Sequence, residues 1–158
     1  MNALVVCPKC EKLNRVPLDR ALAGARPVCG ECKSDLPFHD GVQDLNASTL
    51  AKLIRVADRP VVVDFWASWC GPCKAFAPTF QRTARELADR FVFAKLDTEA
   101  QPSAAGAHGI RGIPTLIVFN RGAEVDRRSG AMPYPTFVEY LGRFTARRTA
   151  PTSDHRGA

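Results

Sequence analysis

Between residues 48 and 144 the apolar positions switch repeatedly between a helical and an extended period, and the switches mark out elements. Leu50, Leu53, Ile54 and Ala57 follow helical spacing behind Ser48, whose hydroxyl can cap a helix start. Val61 to Ala67 is almost continuously apolar, the pattern of a strand covered on both faces. Pro72 to Asp89 predicts a long helix, kinked at Pro78, where a ring replaces an N–H and crowds the preceding turn. Phe91 to Leu96 predicts the next strand and Gln101 to His108 a short helix. Thr115 to Phe119 and Ala123 to Arg128 flank a glycine turn and read as a hairpin. Thr136 to Phe144 closes the pattern with an amphipathic helix offering Phe137, Val138, Tyr140, Leu141 and Phe144 for packing. Strand, helix and strand followed by hairpin and helix predict an α/β fold, a central sheet with helices on both faces.

The two flanks look different. Residues 1–38 hold four of the six cysteines, are rich in charge, Pro and Gly, and show no helical period longer than Asp19 to Ala25. So short a segment buries too little apolar surface to fold unaided and needs a staple. His39-Asp40-Gly41 reads as a turn into a linker over 39–46, and residues 47–146 then form the main domain. Residues 147–158, made of Arg, Thr, Ser, Pro and Gly among others, are expected to be a disordered tail.

Apolar residues make up 46% of the chain and charged residues 24%, a globular mixture. The net charge of +6 invites a nucleic-acid reading, but its distribution argues against one. Residues 1–38 carry six basic and four acidic side chains, residues 39–142 twelve and eleven, and residues 143–158 four and one. The main domain is therefore almost neutral, and no basic face interleaved with aromatics is visible. No apolar run reaches the roughly 18 residues of a bilayer span. Met1 to Val6 lacks the basic and long apolar regions of a secretory signal. A cytoplasmic protein with neither nucleic-acid nor membrane partners is expected.

All six cysteines fall in C-x-x-C pairs, which in a reducing compartment point to metal or catalysis rather than to structural disulfides. Cys7-Pro8-Lys9-Cys10 and Cys29-Gly30-Glu31-Cys32 are separated by eighteen residues, within the range of a four-cysteine zinc site. One structural Zn2+ held by Cys7, Cys10, Cys29 and Cys32 is expected, with Gly30 easing the second turn. Reduced thiols or two disulfides are the plainer alternatives. His39 reads as a solvated loop residue, not a ligand.

Cys70-Gly71-Pro72-Cys73 is a different case. It follows a buried strand and opens a helix, where unsatisfied N–H groups favour the thiolate that attacks disulfides. Cys70, in the first turn and nearer solvent, is expected to attack, and Cys73, one turn in, to resolve. Trp69 beside it is placed to line a substrate surface, whereas Phe65 and Trp66 read as core. Asp64, a carboxylate within an apolar strand, is costly to bury unless paired or protonated.

Val63-Asp64-Phe65-Trp66-Ala67-Ser68-Trp69-Cys70-Gly71-Pro72-Cys73-Lys74 closely resembles the active-site segment of thioredoxins. Arg111-Gly112-Ile113-Pro114-Thr115-Leu116 resembles their cis-proline segment and Asn120-Arg121-Gly122 their hairpin turn. The resemblance runs from about Asn46 to Phe144. With the cysteine-rich front end, the chain is similar to the zinc-containing thioredoxin-2 type. It implies a thioredoxin fold, a central mixed sheet flanked by helices, with a small zinc-ribbon-like domain in front. It also implies a reductant of protein disulfides, fed by an NADPH-dependent thioredoxin reductase. By the same resemblance Asp64 takes the proton of Cys73 through water, and Lys95 pairs with that acid. Pro114 is cis and faces Cys70, leaving the Ile113 backbone free for an extended substrate, with Gly71, Pro72 and Gly130 beside the groove.

No dinucleotide fingerprint is present, and no bound organic cofactor is expected. The chain is expected to act as a monomer. A second reading is a zinc-based redox sensor or chaperone-like binding module; an oxidase or isomerase is a minor third, since the Gly-Pro dipeptide resembles that of reductants. On either main reading, chelation is expected to unfold residues 1–38 and leave the sheet domain folded.

Overall fold

The computed structural model describes the backbone of residues 1–157 and the side chains of residues 1–145. The tail expected over 147–158 falls outside the residues whose side chains are described. A six-stranded sheet forms the centre. Its strands are β3 (Phe38–His39), β4 (Val42–Asp44), β5 (Val61–Trp66), β6 (Val92–Asp97), β7 (Thr115–Asn120) and β8 (Ala123–Ser129), in the spatial order β3-β4-β6-β5-β7-β8. β4 and β5 run parallel to β6, and the other pairings are antiparallel. The sheet is therefore mixed, as expected.

Strand alternation sends the two faces of β5 into different cores. Val61, Val63 and Phe65 pack with Leu50 and Leu53 of α2 (Ala47–Val56) and Ala104 of α4 (Pro102–Ala107). Val62 packs on the opposite side with Phe76 and Phe80 of α3 (Gly71–Leu87) and Phe137 and Leu141 of α5 (Tyr134–Gly157). Asp64 and Trp66 follow Val62 in the alternation and so face the α3 side. The α3 helix passes through Pro78 uninterrupted. The cap of α2 differs from expectation. Asn46, not Ser48, is the N-cap, and its side chain accepts from the Thr49 N–H while the Thr49 hydroxyl accepts from the Asn46 N–H.

The front end is an antiparallel pair, β1 (Asn2–Val6) and β2 (Leu13–Pro17), followed by the single-turn α1 (Leu18–Leu22). Residues 39–46 are not the expected linker. The Asp40-Gly41 turn, with both φ values positive (54° and 82°), closes a hairpin between β3 and β4, and β4 continues into the main sheet.

The front end is also not independent of the sheet. Leu4 and Val6, fully buried, belong to the same core as Leu45, Leu50, Leu53 and Phe65. Buried Gln43 imitates a strand rung, accepting from the Val6 N–H at 3.2 Å and donating to the Leu4 carbonyl. At the strand's other end the Arg59 guanidinium donates to the carbonyls of Asn2 and Ala88 at 3.0 and 2.9 Å. Ala3, Val5, Cys7, Val16, Leu18, Cys29, Leu36 and Phe38 form a smaller core closed by Ala88, which follows α3. One face of β1 thus packs within the front end and the other against the sheet domain.

Candidate functional site: a redox dithiol and a four-cysteine cluster

Cys70 is the N-cap of α3, with Gly71 and Pro72 at the first helical positions, where a missing N–H is harmless. The N–H of Cys73 donates to Cys70 Sγ at 3.1 Å, an orphan helix-start donor aimed at the sulfur. Cys70 and Cys73 are joined as a disulfide. Both are buried, Cys70 at 4% and Cys73 at 2% exposure, so the expected contrast in accessibility is small in this oxidised form. Gly71, Pro72 and Trp69 beside them are exposed.

A second segment closes over the pair. Ile113–Pro114 is a cis peptide, Cys70 Sγ lies 3.8 Å from the Ile113 carbonyl oxygen, and Pro114 is buried. Gly130, with φ of +97°, donates its N–H to the Pro114 carbonyl at 2.8 Å, where an L side chain is disfavoured. Trp69 is 65% exposed, and its indole N–H donates to Glu99 Oε2 at 2.8 Å. Glu99 was not singled out in the sequence. It follows β6 by two residues, and only the parallel β5–β6 pairing brings it to Trp69.

On the α3-facing side of β5 lies Asp64, 4% exposed, with one carboxylate oxygen lacking a hydrogen-bond partner among the described residues. Burial pushes its pKa up to about 7, and the charge of Lys95 opposes the shift. Lys95 is the direct ladder partner of Asp64, yet its ammonium makes its ion pair with Asp44, at 3.7 Å. The expected Asp64–Lys95 pair is therefore one of adjacency and field, not of contact. Trp66 is half-buried with Lys95 Nζ 5.1 Å from its ring centroid, and Phe65 is core, as read from the sequence. His108 is half-buried between the rings of Phe65 and Phe119.

The other four cysteines meet at the end of the front module. Their sulfurs all lie within 4.8 Å of one another, with Cys7–Cys32 at 3.7 Å and Cys10–Cys29 at 3.6 Å. A tetrahedral ZnS4 centre with bonds near 2.3 Å has edges of about 3.8 Å, so the donor set fits zinc in both chemistry and size. The two knuckles repeat each other. The N–H groups of Lys9 and Glu31 donate to Cys7 and Cys29 Sγ at 3.4 Å. Those of Glu11 and Lys33 donate to the Cys7 and Cys29 carbonyls at 2.9 and 3.0 Å. The positive φ values fall on Glu11 and Lys33, 64° and 66°, rather than on Gly30. Asn14 supports the second knuckle, donating to Cys29 Sγ at 3.6 Å and accepting from the Gly30 N–H at 2.9 Å. N–H groups of Cys32 and Glu31, with Asn14, lower the Cys29 pKa to about 6, against a raising effect of burial. His39 is exposed and outside the cluster.

Comparison with known proteins agrees with this two-part layout. The thioredoxin family model matches residues 41–143, and one described as thioredoxin 2, N-terminal, matches residues 6–34. Thioredoxin C-3 of Corynebacterium nephridii is 41% identical over 129 residues, covering 82% of this chain and 86% of that protein. Thioredoxin 1 of Chlorobaculum tepidum is 44% identical over 88 residues, 56% of this chain and 87% of its own length. A chloroplastic M-type thioredoxin of Brassica napus is 40% identical over 104 residues, 66% of this chain and 59% of that protein.

Proposed function

The chain belongs to the thioredoxin family of thiol–disulfide oxidoreductases, and on that premise we propose how its own residues carry out the exchange. Cys70 is the attacking thiol, because it caps α3 and receives the Cys73 N–H. That placement is the observation on which the assignment rests. Helix-start donors stabilise a thiolate at this position and not one buried a turn further in.

Attack by the Cys70 thiolate on a protein disulfide joins Cys70 to one substrate sulfur and releases the other as a thiolate. Cys73 then loses its proton to Asp64 and attacks Cys70, forming the Cys70–Cys73 disulfide and freeing the second substrate thiolate. Electrons pass from the dithiol to the substrate. An acid near pKa 7 can take up and return a proton at neutral pH with little driving force lost. The half-buried Ile113, beside cis Pro114, offers its backbone to an extended chain, with exposed Trp69, Gly71, Pro72 and Gly130 around it.

Cys7, Cys10, Cys29 and Cys32 would hold one structural Zn2+, which cross-links the two knuckles when bound and supplies no redox chemistry of its own. The partners are disulfide-containing proteins, with an NADPH-dependent thioredoxin reductase as the electron source. A reducing compartment such as the cytoplasm suits four metal-competent thiols, and the chain acts as a monomer. The sheet domain begins with β3 and β4, which belong to its own sheet, and the four-cysteine module precedes them.

The assignment is tested by NADPH consumption with insulin and thioredoxin reductase. Cys70→Ser should abolish turnover; substantial turnover would remove Cys70 from the attacking role.

A further inference from the structure

Three charged residues lie in one row across the sheet. Asp44 on β4 and Asp64 on β5 are both Cα partners of Lys95 on β6. Directly paired residues share a sheet face, so one cation stands between two carboxylates. The carboxylates are not equivalent. The Asp44 side chain is 48% exposed and takes the Lys95 ammonium at 3.7 Å. Asp64 is buried with an unpartnered oxygen, and among the described residues it makes no ion pair.

Around Asp64 the remaining elements supply little charge. β7 places Leu116 beside it, and α5 adds Phe137 to the same core. In the first turn of α3, Cys73 is bound to Cys70 and Lys74 is exposed. Lys95 is therefore the one cation in the row, and Asp44 its competing partner. A lysine on a flexible four-carbon stem can serve either acid, and a cation within about 4–6 Å of a carboxylate lowers its pKa by roughly 1–3 units.

We propose that Asp44 is a positioning residue for Asp64: it holds the Lys95 ammonium toward β4, so that the buried carboxyl keeps the proton affinity it needs to accept the Cys73 proton. The inference rests on the reading of Asp64 as that acceptor. Burial raises Asp64 to about 7 against the pull of Lys95. A closer ammonium would strengthen the pull and leave the carboxylate a weaker base. Nothing in the dithiol motif itself reveals this dependence, since Asp44 precedes Cys70 by twenty-six residues.

The test is a direct titration of Asp64 by carbon-13 NMR of labelled aspartate in the oxidised protein, where Cys73 carries no titrating thiol. Asp44→Asn should lower the Asp64 midpoint by about one unit or more. Lys95→Met should raise it, and adding Asp44→Asn to Lys95→Met should then leave it nearly unmoved. An Asp64 midpoint unaffected by Asp44→Asn would overturn the proposal. So would an equal shift in the Lys95→Met background, which would mean that Asp44 acts through its own charge. The pH profile of insulin reduction should move with the midpoint. If the NMR midpoint moves and the rate profile stays, the positioning role stands and the proton-acceptor role of Asp64 fails.

Discussion

Replacing Asp64 with Asn should change stability in a strongly pH-dependent way. The carboxyl has a folded-state pKa of about 7 against an ordinary 3.8, raised by burial. Between those values the native state holds a proton that the unfolded chain has lost, so rising pH favours unfolding. About three units at 1.36 kcal/mol each make the loss about 4 kcal/mol, accumulated from about pH 4 to pH 7 and constant above. The amide does not ionise and escapes this loss. It leaves a buried amide in need of partners, costing roughly 1–3 kcal/mol, but that cost is independent of pH. The stability difference between variant and wild type should therefore move by about 4 kcal/mol in the variant's favour between pH 4 and pH 8. Urea unfolding of both oxidised proteins at the two pH values measures it. A difference that moves by less than about 1 kcal/mol would refute the burial argument and with it the basis for Asp64 as a neutral-pH proton acceptor.

Two further outcomes follow from packing. Because Leu4 and Val6 sit in the sheet domain's core, removing zinc should not simply melt residues 1–38. If β1 detaches, roughly 1.5–3 kcal/mol per buried side chain is withdrawn from the main core, and the unfolding of β5, followed by Trp66 fluorescence, should shift to lower temperature with chelator. An unchanged Trp66 transition would restore two independent domains. Asn46→Ala should cost about 0.5–2 kcal/mol in chemical unfolding through loss of the α2 cap, while Ser48→Ala should cost far less; the reverse order would contradict the capping geometry.

The β5–turn–α3 unit was legible because three signals coincide there: a doubly covered apolar strand, Gly-Pro at helix-compatible positions, and cysteines at a helix start. The four-cysteine cluster was legible from the spacing of its two C-x-x-C pairs. Residues 39–46 were not, since strands of two and three residues carry no readable period, and their assignment depends on β6 lying alongside. Asn46 and Ser48 can each cap a helix; the reciprocal Thr49 bond that selects Asn46 is a matter of backbone geometry. Asn14 reaches Cys29 across fifteen positions, and Gln43 reaches β1 across thirty-seven or more, contacts that only the folded chain creates. Lys95 was identified by resemblance, but its ion pair with Asp44 is decided by the lateral order of the strands.

The central claim is the order of attack: Cys70 first, Cys73 second. It is tested most directly by incubating the Cys73→Ser variant with insulin, quenching with acid, and mapping the non-reduced digest by mass spectrometry. Attack then proceeds but resolution cannot, so a substrate peptide should accumulate in disulfide linkage to Cys70, releasable by dithiothreitol. An unmodified Cys70 with normal turnover, or an adduct on Cys10 or Cys32 in its place, would contradict the account.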